Sequence, residues 1–411
     1  MSKSLLYHMF GVKGPFRYEA TTYQGGAATF RISQPADTLE CPLCGSRDVI
    51  RRGTLRRRIR SVPVGSRGTW IDVKVQRVWC RHCQKLQQVS LPFAEPFKSY
   101  SRSFERYVLD LLQYATIQDV ARHLQVSWAT VKSIQKQDLK RRMKRLSLRD
   151  LRQIAIDEIY VGKSHYLTIV LDLQSGAVVF VGEGKSAASL EPFWRKLERV
   201  GADLRIEAVA VDFSAAFSLA VRENIPDATL VFDHFHLIKL YNEKLQELRR
   251  DLYREATDLL QKAVLSRSRW LLLKNPENLK DTPGRDGRHE KQRLQELLAL
   301  NQPLAIAYFM KEDLREFWNQ PNKAAAQGHL RLWIAQAQAS GIAMLQKFAK
   351  FLQTHQSGII AWYDFPISTG PLEGTNNKIK TMQRQAYGYR DHEFFKLKIL
   401  AIHQAKLRLV G

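Results

Sequence analysis

Three stretches of this chain run from apolar residues onto a carboxylate, and that pattern restricts the fold more than any other feature. The first is Ile154-Ala155-Ile156-Asp157-Glu158. The second is Ile206-Glu207-Ala208-Val209-Ala210-Val211, ending on Asp212, and the third is Ser368-Thr369-Gly370-Pro371-Leu372, leading into Glu373 at an expected helix start. A buried strand that ends on an acid delivers it to the rim of a sheet, where open α/β sheets handle their ligands. If the three carboxylates converge, they can hold two hard divalent cations, Mg2+ or Mn2+, of the kind that support in-line phosphoryl transfer.

The surrounding periodicity supports that placement. Residues 154–160, 165–172 and 177–183 read as an antiparallel meander, with a turn at Gln174-Ser175-Gly176. An amphipathic helix over 190–200, a strand over 206–211, a helix over 215–223 and a strand over 228–232 follow. The order β-β-β-α-β-α-β, with acids on the first and fourth strands, is what a ribonuclease H-like core requires, and those two strands are neighbours in that fold. Asp157 and Asp212 would each supply a metal oxygen, and Glu373 would complete the set. Glu158 competes with Asp157, but strand alternation points it to the opposite face. Asp227 and Asp233 compete with Asp212, Asp227 from a loop beside Pro226. A lone Asp after an apolar strand is often only an exposed strand end; three acids in this topological order are harder to assign to chance.

Upstream, Cys41-Pro42-Leu43-Cys44 is answered by Cys80-Arg81-His82-Cys83, and these are the only cysteines in the chain. Two C-x-x-C pairs can close a tetrahedral thiolate cage around one structural Zn2+, whereas four cysteines in 411 residues make a poor disulfide scaffold. Strands over 56–60 and 70–78, with a turn at 65–68, predict a zinc ribbon in which the metal substitutes for a core too small to stand alone. His82 reads as a bystander.

Charge then names the class of partner. Lys+Arg exceed Asp+Glu by 64 − 40 = 24, and residues 1–150 hold 28 basic against 11 acidic side chains, so 17 of the 24 fall in the first third. Such a concentration points to a polyanion, most simply double-stranded DNA. Arg56, Arg57 and Arg58 on the ribbon would contact phosphates. Beyond it, helical periodicity over 104–115 and 117–124, a turn at Gln125-Val126 and a helix capped by Ser127 form a helix-turn-helix pattern. It would present Ser127, Trp128, Thr130, Lys132 and Ser133 to a major groove. Trp128 is also readable as a core residue. No run of about 18 apolar residues and no signal peptide is seen, so the expectation is a protein of the cytoplasm without a membrane span.

Residues 237–356 are patterned almost wholly as helix, clearest at 239–260, 290–299, 304–318 and 324–352, with a loop over 275–288. The block falls between the last strand and Glu373 and so reads as an all-helical insertion in the core. Trp270, Trp318, Trp333 and Trp362 read mostly as packing residues, one of which could stack on an unpaired base. After Glu373, Asn376 and Asn377 can bond backbone or bases, while Lys378, Lys380 and Arg384 have helical spacings suited to phosphates.

Taken together, Ile156-Asp157-Glu158, Val211-Asp212-Phe213-Ser214, Asp233-His234-Phe235-His236-Leu237 and Leu372-Glu373-Gly374-Thr375-Asn376-Asn377-Lys378-Ile379-Lys380, with Arg384 and Tyr387-Gly388-Tyr389-Arg390 trailing, resemble the bacterial insertion-sequence transposases of the ISL-three family. The resemblance spans nearly the whole chain. It implies an Asp-Asp-Glu catalytic triad at Asp157, Asp212 and Glu373 with two cations per site. It also implies that Asp233 and His236, as an Asp-x-x-His element, support the pocket and position DNA. The substrates it implies are the terminal inverted repeats of the element and target DNA, handled by a homodimer or larger synaptic assembly near the bacterial nucleoid.

The resulting expectation is an α/β multidomain chain. It comprises an N-terminal segment of short extended pieces (1–37), a zinc ribbon (38–98), a helix-turn-helix with basic linker (99–150), the ribonuclease H-like core in two parts (151–236 and 361–411) and the helical insertion (237–360). A regulator that binds DNA without cutting it, and a nuclease that cuts without joining, are the competing readings.

Overall fold

The computed structural model describes residues 3–162, 164–266, 268–280 and 289–403, so part of the expected 275–288 loop and the end of the last expected segment lie outside the described residues. The chain divides into two compact units, Met1–Arg141 and Arg142–Gly411.

The first unit opens with α1 (Lys3–Phe10), β1 (Arg17–Gln24) and β2 (Ala27–Ser33), then a long hairpin of β3 (Val49–Val64) and β4 (Arg67–Cys80), and β5 (Lys85–Gln88). The hairpin turns at Gly65, whose φ of 59° suits a two-residue loop. Two expectations change here. Residues 3–10 form a helix, and the sheet crosses the boundary expected at residue 37, because β2 pairs in parallel with β4 from Ala28↔Thr69 to Ile32↔Val73. The ribbon also has an apolar core of its own: Ile59, Ile71, Val73 and Val75 pack with Phe30, Ile32, Phe93 and, from α1, Leu6 and Phe10. An unpaired β4 edge beside that apolar face would be left open, and the N-terminal strands close it.

After the sheet come α2 (Arg102–Leu111), α3 (Ile117–Leu124) and α4 (Trp128–Met143). Each begins on a hydroxyl cap: Ser101 accepts from Phe104 N, Thr116 from Asp119 N and Ser127 from Thr130 N. Gln125, with φ 52°, makes the turn between α3 and α4. Val120, Leu124, Val131 and Ile134 close on Phe104 and Val108. Sheet and helices are tied together by the buried Arg60, whose Nη2 donates to Leu124 O at 2.9 Å.

In the second unit, β6 (Gln153–Gly162), β7 (His165–Asp172) and β8 (Ala177–Glu183) form the meander, followed by α5 (Glu191–Val200), β9 (Ala208–Val211), α6 (Ala215–Asn224) and β10 (Thr229–Phe232). The sheet order is β10-β9-β6-β7-β8, with β9 parallel to β6 and β10 parallel to β9. Both faces are covered, which explains the near-continuous apolar runs. Ile154, Ile156, Val209 and Val211 face one core, while Ala155, Ile159, Ala208 and Ala210 face the other.

The helices that follow are α7 (His234–Glu255), α8 (Leu259–Ser266), α9 (Arg269–Leu273), α10 (Glu290–Leu300), α11 (Gln302–Arg315), α12 (Lys323–Ala339) and α13 (Ala343–Ile360); α14 (Gly370–Gln385) and α15 (His392–Leu400) then cover the second face of the sheet. The helix expected over 239–260 is two helices, broken at Ala256, whose ψ of 129° leaves the helical region. Of the four tryptophans, Trp333 is fully buried and donates to Met310 O at 2.8 Å, Trp318 and Trp362 are half-buried, and Trp270 is 66% exposed. Among the described residues no helix is long and apolar enough to cross a membrane.

Helix α13 lies so close to β10 that a Cβ on Gly358 would sit 2.5 Å from the Phe232 ring. Gly358→Ala is expected to lower stability by about 1–3 kcal/mol through overpacking, read as a fall in the urea midpoint at unchanged slope.

Candidate functional site

Strand register brings the first two acids together. Ile156 on β6 is paired with Val211 on β9, so Asp157 and Asp212 follow side by side, Asp212 just past the end of β9 and Asp157 midway along β6, which runs on to Gly162. Backbone amides fix each: Glu158 N donates to Asp157 Oδ1 at 2.8 Å, and Ser214 N to Asp212 Oδ1 at 2.9 Å. One carboxylate oxygen from each of Asp157, Glu158 and Asp212 lies within 4.8 Å of the others. Alternation does place the Glu158 Cβ on the opposite face. Its carboxylate nonetheless meets the other two where β9 stops beside β6, so the expectation that Glu158 stands apart is corrected. Asp227 is exposed and outside this cluster.

Gathering like charges has an electrostatic consequence. Burial, then repulsion from Glu158 and Asp212, pushes the Asp157 carboxyl up to about 7. Burial and Asp212 likewise raise Glu158. Oxygen ligands at this spacing, with no ammonium or guanidinium bonded among them in the described residues, fit a divalent cation.

Asn376 is the residue that reaches the cluster from the far end of the chain. Its Nδ2 donates to Asp157 Oδ2 at 2.9 Å, and its side chain is buried. Expected to meet DNA, it bonds a carboxylate instead, because position 376 faces the sheet across α14. The same helix is held at its start by Asp233. That carboxylate accepts from Thr369 N at 3.2 Å through Oδ1, and from His236 N at 3.1 Å and Nδ1 at 2.8 Å through Oδ2, while itself 1% exposed. Burial works to raise Asp233, but the bonds and charge of His236 outweigh it and leave it below the usual carboxylate range. His236 is raised in turn by its bond to Asp233, against the opposing effect of burial, and further by Asp157 and Asp212. Asp233 is therefore an anchor rather than an open ligand.

Glu373 lies between these two attachments, four residues after Thr369 and three before Asn376, on the helix face they share. It is exposed and outside the trio whose oxygens meet. Asn377, Lys378, Lys380 and Arg384 are exposed along α14. Tyr387 is fully exposed, whereas Tyr389 stacks on Phe395 at 4.6 Å. Sequence reasoning missed the roles of Glu158, Thr369 and Asn376. The i, i+3 spacing of Glu373 and Asn376 was the available signal for the last.

In the first unit the four sulfurs of Cys41, Cys44, Cys80 and Cys83 lie within 4.8 Å of one another, with Cys44 Sγ and Cys80 Sγ 3.6 Å apart. A tetrahedral thiolate site with zinc–sulfur bonds of about 2.3 Å separates sulfurs by about 3.8 Å, so the cage fits zinc. The ribbon arginines are more engaged than expected. Arg56 holds the buried Asp72 bidentately, Arg57 donates to Glu95 O and Lys98 O at 3.0 and 2.6 Å, and Arg58 covers Trp70 at 4.6 Å. On α4, Trp128 is 47% exposed, with the Lys132 ammonium 5.3 Å from its ring, and Ser127 bonds Thr130 at 2.8 Å. Trp128 is thus a surface residue.

Comparison with known proteins covers the same three regions. A family model described as transposase, of the ISL3 group, matches residues 154–399. The helix-turn-helix domain of transposase family ISL3 matches 89–138, and the zinc-finger of transposase IS204/IS1001/IS1096/IS1165 matches 37–83. The transposase for insertion sequence element IS1001 of Bordetella parapertussis is 33% identical over 401 residues, 96% of each chain. That for IS1557 of Mycobacterium tuberculosis is 28% identical over 380 residues, 85% of this chain and 82% of that one. A Drosophila P element transposase strand transfer complex aligns at TM-score 0.40 and 15% identity over 74% of this chain and 92% of that one, a likeness too slight to argue from.

Because the Asp157 carboxyl is raised above its unfolded value of about 3.9, the cation-free fold loses stability as pH climbs toward about 7. A cation also meets fewer protons above that pH. Mg2+ is therefore expected to raise Tm more at pH 8 than at pH 6, and Asp157→Asn to flatten the difference. Elemental analysis is expected to find one zinc per chain, lost in Cys80→Ser together with a lower melting temperature of the first unit.

Proposed function

The chain belongs to the ISL3 family of transposases, and from that premise we propose that it binds the terminal inverted repeats of an insertion sequence, cuts DNA at their ends and joins the freed 3′-hydroxyl to target DNA. The observation that carries this reading is the meeting of Asp157 and Asp212 on adjacent parallel strands, with α14 bonded to the first of them.

The sheet order, with the first and fourth strands of the unit side by side, supports a ribonuclease H-like core over 151–236 and 361–411, interrupted by helices over 237–360. We assign Asp157, Asp212 and Glu373 as the catalytic carboxylates, with Glu158 as a fourth oxygen donor at the same rim. Two divalent cations, Mg2+ or Mn2+, when bound there supply polarisation of the scissile phosphate and activation of water and then of the 3′-hydroxyl. The chain's own residues set the geometry. Asn376 fixes the Asp157 carboxylate, and the Asp233–His236 pair fixes Thr369 and so the first turn of α14 on which Glu373 stands. Asn377, Lys378, Lys380 and Arg384 offer phosphate contacts along that helix. With Asn376 occupied by Asp157, its place among the DNA contacts is given up.

Recognition falls to the first unit. The zinc ribbon over 38–98 and the helix-turn-helix over 99–150 would seat α4 in a major groove, with Ser127, Trp128, Thr130 and Lys132 at its leading end. Arg58 remains available beside Trp70 for phosphate, whereas Arg56 and Arg57 act mainly within the fold. Two element ends must be held at once, which calls for a homodimer or larger assembly acting on DNA in the bacterial cytoplasm.

The test is metal-dependent cleavage and joining of DNA carrying the element's ends, by wild type and by Asp157→Asn, Asp212→Asn and Glu373→Gln. Each variant is expected to lose about 10³-fold or more in rate while binding the same DNA within about twofold. Undiminished cleavage in Glu373→Gln would remove it from the site. Cleavage by wild type with no joining of pre-cut ends would mark a nuclease.

A further inference from the structure

Helix α7 begins at the candidate active site, where Asp233 caps it, and leads away from it. Between α7 and the α8–α9 pair lies a cleft of about 580 Å³ that starts at Phe235 and passes Lys239, Arg249, Arg250 and Arg269. A second cleft of about 350 Å³ continues it past Arg250, Tyr253 and Arg254. From Phe235 to Tyr253 the groove follows about 27 Å of helix, at 1.5 Å per residue.

Three of its guanidiniums lack counterions, whereas Arg254 is paired with Asp251 at 3.1 Å. Arg249 is fixed in place, donating from Nη1 to Leu265 O at 2.7 Å and from Nε to Gln246 Oε1 at 2.9 Å. Burial and the neighbouring Arg250 and Arg269 lower its pKa, so three guanidiniums are held close enough to repel. Among the described residues none of the three is paired with a carboxylate. Two acids, Glu243 and Glu247, also line the cleft, the second bonded to Lys244 at 2.9 Å. The groove also carries bare aromatic surface. Phe235 is 51% exposed, and beside the cleft Trp270 is 66% exposed beneath the Arg269 guanidinium at 5.0 Å. Clustered cations without carboxylate partners attract phosphate, and exposed rings beside them offer platforms for bases. In a duplex the base faces are stacked on one another, so exposed rings of this kind suit a strand whose bases are unpaired.

We propose that the α7 groove binds a single DNA strand, its phosphates on Arg249, Arg250 and Arg269 and a base on Trp270, and so holds the unpaired strand next to the cleavage point. The identity of that strand rests on the transposase reading; binding by the groove does not.

The test uses the full chain and a fluorescein-labelled oligothymidylate of about 20 nucleotides, with a random duplex of equal length as control. Arg250→Gln/Arg269→Gln and Trp270→Ala are each expected to bind the single strand about tenfold more weakly with duplex binding unchanged. The basic first unit also attracts DNA, so a second measurement replaces Trp270 by p-benzoylphenylalanine in otherwise unaltered protein and expects a photo-crosslink to the oligothymidylate. That crosslink decides the matter if the arginine variants fold poorly. Unchanged single-strand binding without a crosslink overturns the proposal, as does equal loss for strand and duplex. Cleavage is scored on the same samples. Cleavage by wild type with no crosslink from the protein carrying p-benzoylphenylalanine at position 270 sinks the groove alone, and a crosslink from that protein with no cleavage by wild type sinks the transposase reading alone.

Discussion

Carboxylates repel one another, and the second unit holds three of them within 4.8 Å at the rim of its sheet. Nothing in the sheet itself favours that. Parallel pairing of β6 with β9 sets the acids side by side, and neutral donors keep them there: the amides of Glu158 and Ser214 and the side chain of Asn376. Donors without charge orient an acid without neutralising it. The rim therefore keeps its demand for positive charge, as the raised Asp157 carboxyl records.

The same economy of charge governs how the last helix is attached. Asp233 follows Phe232 as Asp212 follows Val211, its partner on the neighbouring strand, but Asp233 is withdrawn from the rim by burial and by three hydrogen bonds, two from His236 and one from Thr369. An acid so satisfied is a structural clasp. It joins the start of α7 to the start of α14, although 136 positions of chain separate the bonded residues. The helices between must return the chain to within hydrogen-bond reach. Contacts such as Tyr241 Oη to Ala307 O at 2.7 Å and the Gly358 backbone against Phe232 give that return little latitude.

In the first unit, arginine is used as structure before it is available for DNA. Arg60 is buried between sheet and helices, and Arg56 compensates the buried Asp72, which would otherwise be an unpaired charge. A basic run in a sequence does not distinguish guanidiniums that face solvent from those that cross a fold. A charge excess can therefore point to a polyanionic partner without saying which side chains would meet it.

Much was legible in the linear chain because it depends on local chemistry. The two C-x-x-C pairs, the hydroxyl cap at Ser127, and the apolar runs leading into Asp157 and Asp212 are all readable from spacing and apolar period. What could not be read needed distance in space. The joining of β2 to the β4 edge, the return of Glu158 to the rim, the bond from Asn376 to Asp157 and the withdrawal of Asp233 each involve partners fixed only when the sheet and helices pack. Periodicity tells which face a side chain leaves from; only tertiary structure decides which charge it then meets, because that interaction depends on separation and burial rather than on order along the chain.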